Sequence, residues 1–540
     1  MTLDHPLRSP GRDTLATDTA TVAGWTIVSR ATGFLRVVTI AAVLGPTYFG
    51  NTFQAMNLLP NLTYELLAGG LISALLVPAL VRRGLSGDRS EVARFASGFL
   101  GTALVLFGLV ATMLILFGPL VLRMFGLGVR DQAALELQRN AGWLLLALVM
   151  PQLPLYGVVG TAAAVQNARG RFAFPAGAPV IENVGVVITL LVSAIAFGTG
   201  QDLDEVSSSQ VLVLGLGSTM SVAVHAGVQW WGARRCGITL IPRAGWRDPE
   251  VRSLARLARP SLGIAALIGV RYLALVVVAS SVRGGVVAFT MAINFFNLPI
   301  ALGAKPVATA LLPRLASLVD RPARFSRELA RGTGLALFVA VPAAVAFVAL
   351  SVPLAKAAAF GEMSSERGVQ LLAVSIAALA IGLVGETIVT VGTPASFALG
   401  DARSPLVSMV VRTLVTLPGM ALSLTLLEGR WVLAGLGISL TLGDLAAGGV
   451  LWQRLRALTA PRVAVAGGLV RCLVASLVMV LPAVVAAWGV GALGSSAAVE
   501  LTAVLAAGLV GAAIYGAVQW VLRAPELAPL SGLSSAQVQP

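Results

Sequence analysis

Long apolar stretches, separated by short polar, basic or Gly/Pro-containing breaks, run the length of the chain. A helix of about 20 apolar residues crosses a bilayer core. That criterion selects fourteen segments, near 21–44, 52–81, 95–122, 141–165, 175–198, 210–232, 257–280, 286–312, 332–355, 369–392, 405–426, 431–452, 464–488 and 498–522. The pattern predicts an all-α integral membrane protein with about 14 transmembrane helices. Residues 1–20 mix Asp4, Asp13 and Asp18 with Arg8 and Arg12, which reads as a flexible polar tail rather than a signal peptide. Residues 523–540, with Pro525, Pro529 and a Ser/Gly/Gln-containing end, read as a disordered tail.

Weak internal similarity organises these segments. Asn167-Ala168-Arg169 after the fourth has a counterpart in Asp401-Ala402-Arg403 after the tenth. Leu59-Pro60 pairs with Leu298-Pro299, and Ala74-Leu75-Leu76-Val77-Pro78 with Ala310-Leu311-Leu312-Pro313, at nearly the same offset. Two six-helix halves follow, 21–232 and 257–452, joined by a basic linker, 233–256, with two extra helices over 464–522. An even number of helices per half makes the repeat parallel, an arrangement transporters use with substrate held between the halves.

Composition narrows the class. The chain of 540 residues is 57% hydrophobic and only 11% charged, with a mean hydropathy of +0.88; soluble proteins carry about a quarter charged residues. The net charge of +14 would point to nucleic acid in a polar chain. Here most of the 38 basic residues fall in alternate loops, including Arg82, Arg83, Arg234, Arg235, the 243–259 run and Arg314 to Arg331. By the positive-inside rule this places both termini in the cytoplasm and accounts for the loops without a nucleic-acid partner, though they also suit anionic lipid heads. Cys236 and Cys472 are too few for a disulfide framework or a zinc site. His225 stands alone in the sixth segment and reads as a packed or interfacial side chain rather than a proton relay. No phosphate-binding G-x-x-x-x-G-K-[ST] and no G-x-S-x-G, H-E-x-x-H or CxxC occurs. The expectation is a transporter without a cofactor, not an enzyme.

Charges inside the spans carry the remaining information. Arg30, Arg36, Arg271, Lys305, Arg412, Arg471, Glu65, Glu182, Glu386 and Asp444 lie within them. At about 2.5–3.5 kcal/mol each on insertion scales, most must face water, a partner or an interface. Arg412 and Arg471, close to span ends, are expected to snorkel, and Glu182 to sit near an interface. Arg30, Arg36 and Arg271 lie deeper and are expected to line a cavity, although the first two project about 120° apart. In the second span Asn51, Gln54, Asn57, Asn61 and Glu65 share an arc of about 120°. In the eighth, Asn294, Asn297 and Lys305 share about 80°. Together these side chains describe a cationic, amide-rich chamber suited to a diphosphate, which arginine binds bidentately. The opposing expectation is that these cations only pair with Glu65 and other acids to lock the bundle.

The stretch Ser29-Arg30-Ala31-Thr32-Gly33-Phe34-Leu35-Arg36, with Leu44-Gly45, Leu59-Pro60-Asn61-Leu62 and Val77-Pro78, resembles the start of the MurJ/MviN family, lipid II flippases of the MOP exporter superfamily. The resemblance continues through Asn167 to Pro179, Asn183, Leu311-Leu312-Pro313 and Asp401 to Pro405. It implies a bacterial plasma-membrane protein that flips an undecaprenyl-diphosphate-linked glycan by alternating access, driven by membrane potential, with the last two helices grooved for the lipid tail. Membrane lipids and cell-envelope biosynthesis proteins are its implied partners. Arg30 and Arg36 coincide with arginines the family needs. Asn51 stands where the family has Asp, Tyr64 where it has Arg, Gly69 where it has Glu, and Asn294 where it has Arg. These departures keep open a divergent or non-transporting paralogue acting as an envelope scaffold, while a MATE-like exporter of cationic drugs is disfavoured by cations that outnumber acids.

Overall fold

The computed structural model describes residues 12–69, 75–84, 88–129, 132–459, 466–494 and 496–527. Every regular element among them is helical. Twelve described helices are long and apolar enough to cross a membrane, and a thirteenth span is the bent pair Glu366–Ala380 and Gly382–Ala398. The remaining predicted span, the second, 52–81, begins as the helix Tyr48–Tyr64, passes into a π turn at Glu65–Gly69 and ends in Val77–Gly84; residues 70–74 between them lie outside the described residues. The first helix starts at Arg12, inside the segment expected to be a tail; residues 1–11 and 528–540 of the two predicted tails lie outside the described residues.

The chain divides into two compact units. One comprises the chain up to Val43, Thr52–Met124 and Glu136–Gly269; the other comprises Leu44–Asn51, Phe125–Leu135 and the chain from Val270. Bulky apolar side chains such as Ile195, Leu302, Leu481 and Leu509 are exposed, as a hydrocarbon solvent allows. With lipid as apolar as leucine, helices must be held by close packing of small residues and by polar contacts. Gly385 and Gly448 show this in the second unit: a Cβ on Gly448 would stand 2.8 Å from the Gly385 carbonyl oxygen, so these glycines let Gly382–Ala398 and Arg430–Leu458 touch along their backbones.

The internal repeat is visible in how helices break and end. The fourth span of the first unit is interrupted at Met150 and Pro151, between Gln132–Val149 and Gln152–Ala168; its counterpart turns by 50° at Ile381. Both then close on a left-handed glycine, Gly170 (φ 71°) and Gly400 (φ 73°), with the next residue's amide donating back to Gln166 (2.9 Å) and Ser396 (2.9 Å). This is the helix-stop geometry that glycine permits. It pairs Arg171 with Asp401, so the alignment of Asn167-Ala168-Arg169 with Asp401-Ala402-Arg403 is out by about one helical turn. Asp401 accepts from the backbone amides of Arg403 (2.9 Å) and Ser404 (3.1 Å). Partial burial opposes its ionisation, but the hydrogen bonds from Ser404 and the backbone prevail and hold its carboxyl below the usual value. A second shared irregularity is a π turn, at Glu65–Gly69 and at Ile300–Ala304, following Leu59-Pro60 and Leu298-Pro299. Such turns inside helices often mark functional sites.

Candidate functional site

Among the described residues each unit buries an ionic cluster, built from helices at equivalent places in the repeat. In the first unit Glu182, on Pro179–Phe197, is the centre. Its Oε1 accepts from the Tyr156 hydroxyl (2.9 Å) and the Arg36 guanidinium (3.3 Å), and its Oε2 lies 3.0 Å from His225 Nδ1. The side chain of His225 is 4% exposed, that of Glu182 12% and that of Arg36 19%. Glu182 is therefore not an interfacial residue, as the sequence led us to expect. It is a buried carboxylate relieved by two donors, Tyr156 and Arg36, with the His225 ring beside it, which is how such a charge is tolerated inside a membrane protein. Asn183, the next residue, donates to the Ser29 carbonyl and the Thr32 hydroxyl, both at 3.3 Å. That contact fixes the Arg36 helix beside Gly33.

In the second unit Arg412, on Arg403–Leu426, takes the central place. It contacts Asp444 through Nε (2.6 Å) and Nη2 (2.5 Å), and Glu386 through Nη2 (2.6 Å). Arg271 Nη1 reaches the same Asp444 oxygen at 3.4 Å. Arg412 does not snorkel: only 6% of it is exposed, because two carboxylates from neighbouring helices hold it inside. Tyr156 and Glu386 follow the matched helix breaks by the same number of residues, and Glu182 and Arg412 are related by the same register. The two clusters thus occupy one layer of the repeat with opposite central charge.

The predicted site residues separate into groups. Arg36 and Arg271 each belong to one of these clusters. Arg30 is exposed, on another face of its helix from Arg36, and among the described residues no ion pair holds it. Asn61 and Glu65 are exposed while Asn57 is buried. Lys305 and Asn297 are exposed on either side of the π turn Ile300–Ala304. Asn294 is half-buried and donates to the Thr290 carbonyl of its own helix (2.8 Å). Asn51 is fully buried and committed to backbone: Nδ2 donates to the Val282 carbonyl (2.7 Å) and Oδ1 accepts from the Val286 amide (2.9 Å). A carboxylate has no donor for the first of these bonds, which gives the asparagine a structural reason. Tyr64 packs against Tyr156 and Phe107, with centroids 5.5 and 6.0 Å apart; Gly69 is the last residue of the π turn Glu65–Gly69. Sequence spacing missed Tyr156, Glu386 and Asp444 as cluster members. The usable signal was one ionisable or phenolic side chain per span, at the same register in both halves for Tyr156 with Glu386 and for Glu182 with Arg412.

Along the last two helices an apolar groove of about 320 Å³ is lined by Phe338, Pro342, Ala346, Met479, Ala507 and Tyr515. Its lining is almost wholly apolar.

Comparisons place this architecture among known proteins. The family profile described as lipid II flippase MurJ matches residues 40–505. A relative from Rhizobium meliloti (strain 1021), named probable lipid II flippase MurJ, is 27% identical over 421 residues, covering 75% of this chain and 74% of its own. The solved structure "Lipid II flippase MurJ, inward closed conformation" superposes with a TM-score of 0.74 at 16% identity, over 93% of this chain and 99% of that one. An inward-facing multidrug resistance MATE family transporter of the MOP superfamily superposes at 0.61 and 18% identity, over 80% of this chain and 98% of its own. The chain belongs to the lipid II flippase MurJ family, a family of membrane transporters and not of enzymes.

Proposed function

We propose that this protein carries lipid II, or a closely related undecaprenyl-diphosphate-linked glycan, from the inner to the outer leaflet by alternating access. In this reading the lobes 21–232 and 257–452 rock about a cationic cavity, 233–256 is their basic linker, and the helices of 464–522 guide the lipid tail. Both termini face the cytoplasm, as the distribution of basic loop residues supports. No cofactor takes part; membrane potential is the driver, at about 2.3 kcal/mol per charge per 100 mV.

The observation that carries the reading is the state of Arg36. Its side chain is partly exposed and, among the described residues, held by one 3.3 Å contact to Glu182, so it can turn to an arriving diphosphate. Arg30, Arg271 and Lys305 supply further charge, with Asn57, Asn61, Glu65, Asn294 and Asn297 as polar lining. Asn51 serves this cavity indirectly, by bracing the start of Gly285–Pro299. Membrane lipids and cell-envelope biosynthesis proteins remain the partners of this reading.

The test is rescue of a bacterium depleted of its own lipid II flippase. The wild-type chain should restore growth, and Arg30→Ala and Arg36→Ala, at equal membrane abundance, should not. Growth restored equally by all three would overturn the cationic-cavity reading. One observation favours a second reading, a non-transporting envelope scaffold: Asn51 and Tyr64, where the family has charges, are spent on backbone bonds and aromatic packing. That reading predicts no rescue by the wild-type chain.

A further inference from the structure

One recess of the second unit is both basic and apolar. It has a volume of about 730 Å³ and lies where Lys305–Ala316, Pro322–Ala349, Ala466–Gly491 and the turn Pro525–Leu527 meet. Val307, Leu311 and Leu335 make its apolar wall, and Arg314, Arg331 and Arg471 are its cations. Arg324 and Arg327 line an adjoining recess that shares Arg314. Basic loops orient a membrane protein, but that role asks only for charge outside the bilayer. It does not account for a carboxylate carried in among these arginines.

That carboxylate is Glu526. Its side chain is 12% exposed, and both oxygens stand 3.4 Å from Arg471 Nη2. Glycine makes the room: a Cβ on Gly334 would lie 3.2 Å from Glu526 Oε1, and one on Gly468 3.6 Å. The arginines are incompletely used. Arg471 Nε is buried with no hydrogen-bond partner, and among the described residues no ion pair holds Arg314 or Arg331. One carboxylate thus leaves donors that a larger anion would engage, and the fork of arginine matches phosphate. The turn that delivers Glu526 is itself strained, since Arg523 (φ 49°) takes a left-handed conformation that side chains rarely adopt.

Two features choose the anion. With Glu526 withdrawn, three arginines against Glu328 alone leave the recess a net charge of +2, which suits a diphosphate better than a phosphodiester. The recess also runs on into the apolar groove of the last two helices. Arg331, Leu335, Phe338, Pro342 and Ala346 succeed one another three or four residues apart, on one face of their helix, and Arg471 precedes Met479 by about two turns. One groove takes one chain, whereas a membrane phospholipid carries two. We propose that Arg314, Arg331 and Arg471 form a loading site for the diphosphate of a single-chain prenyl lipid, and that Glu526 fills it until the lipid displaces the carboxylate. The site belongs wholly to the second unit, while Arg36 belongs to the first. The inference rests on the reading of the protein as a carrier of an undecaprenyl-diphosphate lipid, and the experiment separates the two.

The test is equilibrium binding of radiolabelled undecaprenyl diphosphate to the full chain in phosphatidylcholine nanodiscs, with each variant made in the wild-type and Arg36→Ala backgrounds. Glu526→Gln keeps the volume and removes the competing charge. It should tighten binding about two- to fivefold, the worth of a partly exposed ion pair. Arg331→Gln leaves the Arg471–Glu526 pair intact and should weaken binding at least about tenfold. Arg471→Gln should do the same in the Glu526→Gln chain, where no carboxylate is left unpaired. Binding that falls in Arg36→Ala but is unmoved by the Arg331, Arg471 and Glu526 variants overturns the loading site and spares the cavity. An intact chain that does not bind the probe overturns both. Inorganic diphosphate binding as tightly as the lipid would show that the groove takes no part. Phosphatidylglycerol displacing the probe at equal membrane concentration would make the occupant a phospholipid, and either result overturns the proposal.

Discussion

Asp444→Asn is the substitution whose cost the structure defines best. Asp444 and Arg412 have side chains only 4% and 8% exposed, and the carboxylate meets Arg412 at 2.5 and 2.6 Å and Arg271 at 3.4 Å. The amide keeps the volume and removes the charge, so two guanidiniums are left to share Glu386, whose side chain is 22% exposed. Breaking a buried ion pair by removing one partner costs about 3–5 kcal/mol. At about 2–4 °C per kcal/mol, the scaling for about 150–250 residues, the unfolding midpoint should fall by about 6–20 °C. The assay is thermal unfolding of the detergent-solubilised protein, followed by tryptophan fluorescence and by loss of the monodisperse peak. Removing both charges with apolar residues, Arg412→Leu with Asp444→Leu, should recover most of the loss, because a buried pair replaced as a pair is often close to neutral. A midpoint for Asp444→Asn within about 1 °C of wild type would refute the view that this cluster locks the second unit.

Asn51→Asp restores the residue type that the family has at this position, yet removes the donor to the Val282 carbonyl; it should destabilise by about 1–3 kcal/mol, read as a lower unfolding midpoint. Arg271→Ala should abolish flipping in reconstituted vesicles while leaving membrane insertion intact, and normal transport by that variant would remove Arg271 from the cavity. Burial pushes the Cys236 thiol up in pKa, against the pull of Arg171 and Arg169. Its alkylation by an impermeant maleimide should be slower than that of a free thiol at neutral pH and should accelerate as pH rises. In the proposed orientation that labelling occurs from the cytoplasmic side alone; labelling from outside would reverse the topology.

Hydropathy made the membrane class and the run of spans legible, because about 20 apolar residues are the same signal wherever they occur. Breaks between spans were legible where glycine marks them, as at Gly170 and Gly400; the interruption at Pro151, inside the segment read as one span over 141–165, was not. The register of the repeat was not: Asn167-Ala168-Arg169 matches Asp401-Ala402-Arg403 letter for letter over two residues, but the stop glycines align the halves one turn away. Nor did position along a span reveal which charges meet. Arg412 lies near enough to a helix end to snorkel, and only the approach of Glu386 and Asp444 from two other helices shows that it turns inward. Asn51 looked like cavity lining on a polar helix face; it instead brackets a backbone turn between Val282 and Val286. Arg30 and Arg36 were readable as inequivalent from their angular separation alone, and one is exposed where the other meets Glu182.

The measurement closest to the central claim is flipping of fluorescent lipid II in vesicles reconstituted with the purified chain. With a membrane potential applied, wild type should move the lipid between leaflets. Arg36→Ala should lose at least about tenfold in rate, as removal of a charge-assisted contact worth about 1.5–3 kcal/mol implies. Vesicles that show no flipping with folded wild-type protein, or equal flipping by Arg36→Ala, would contradict the account.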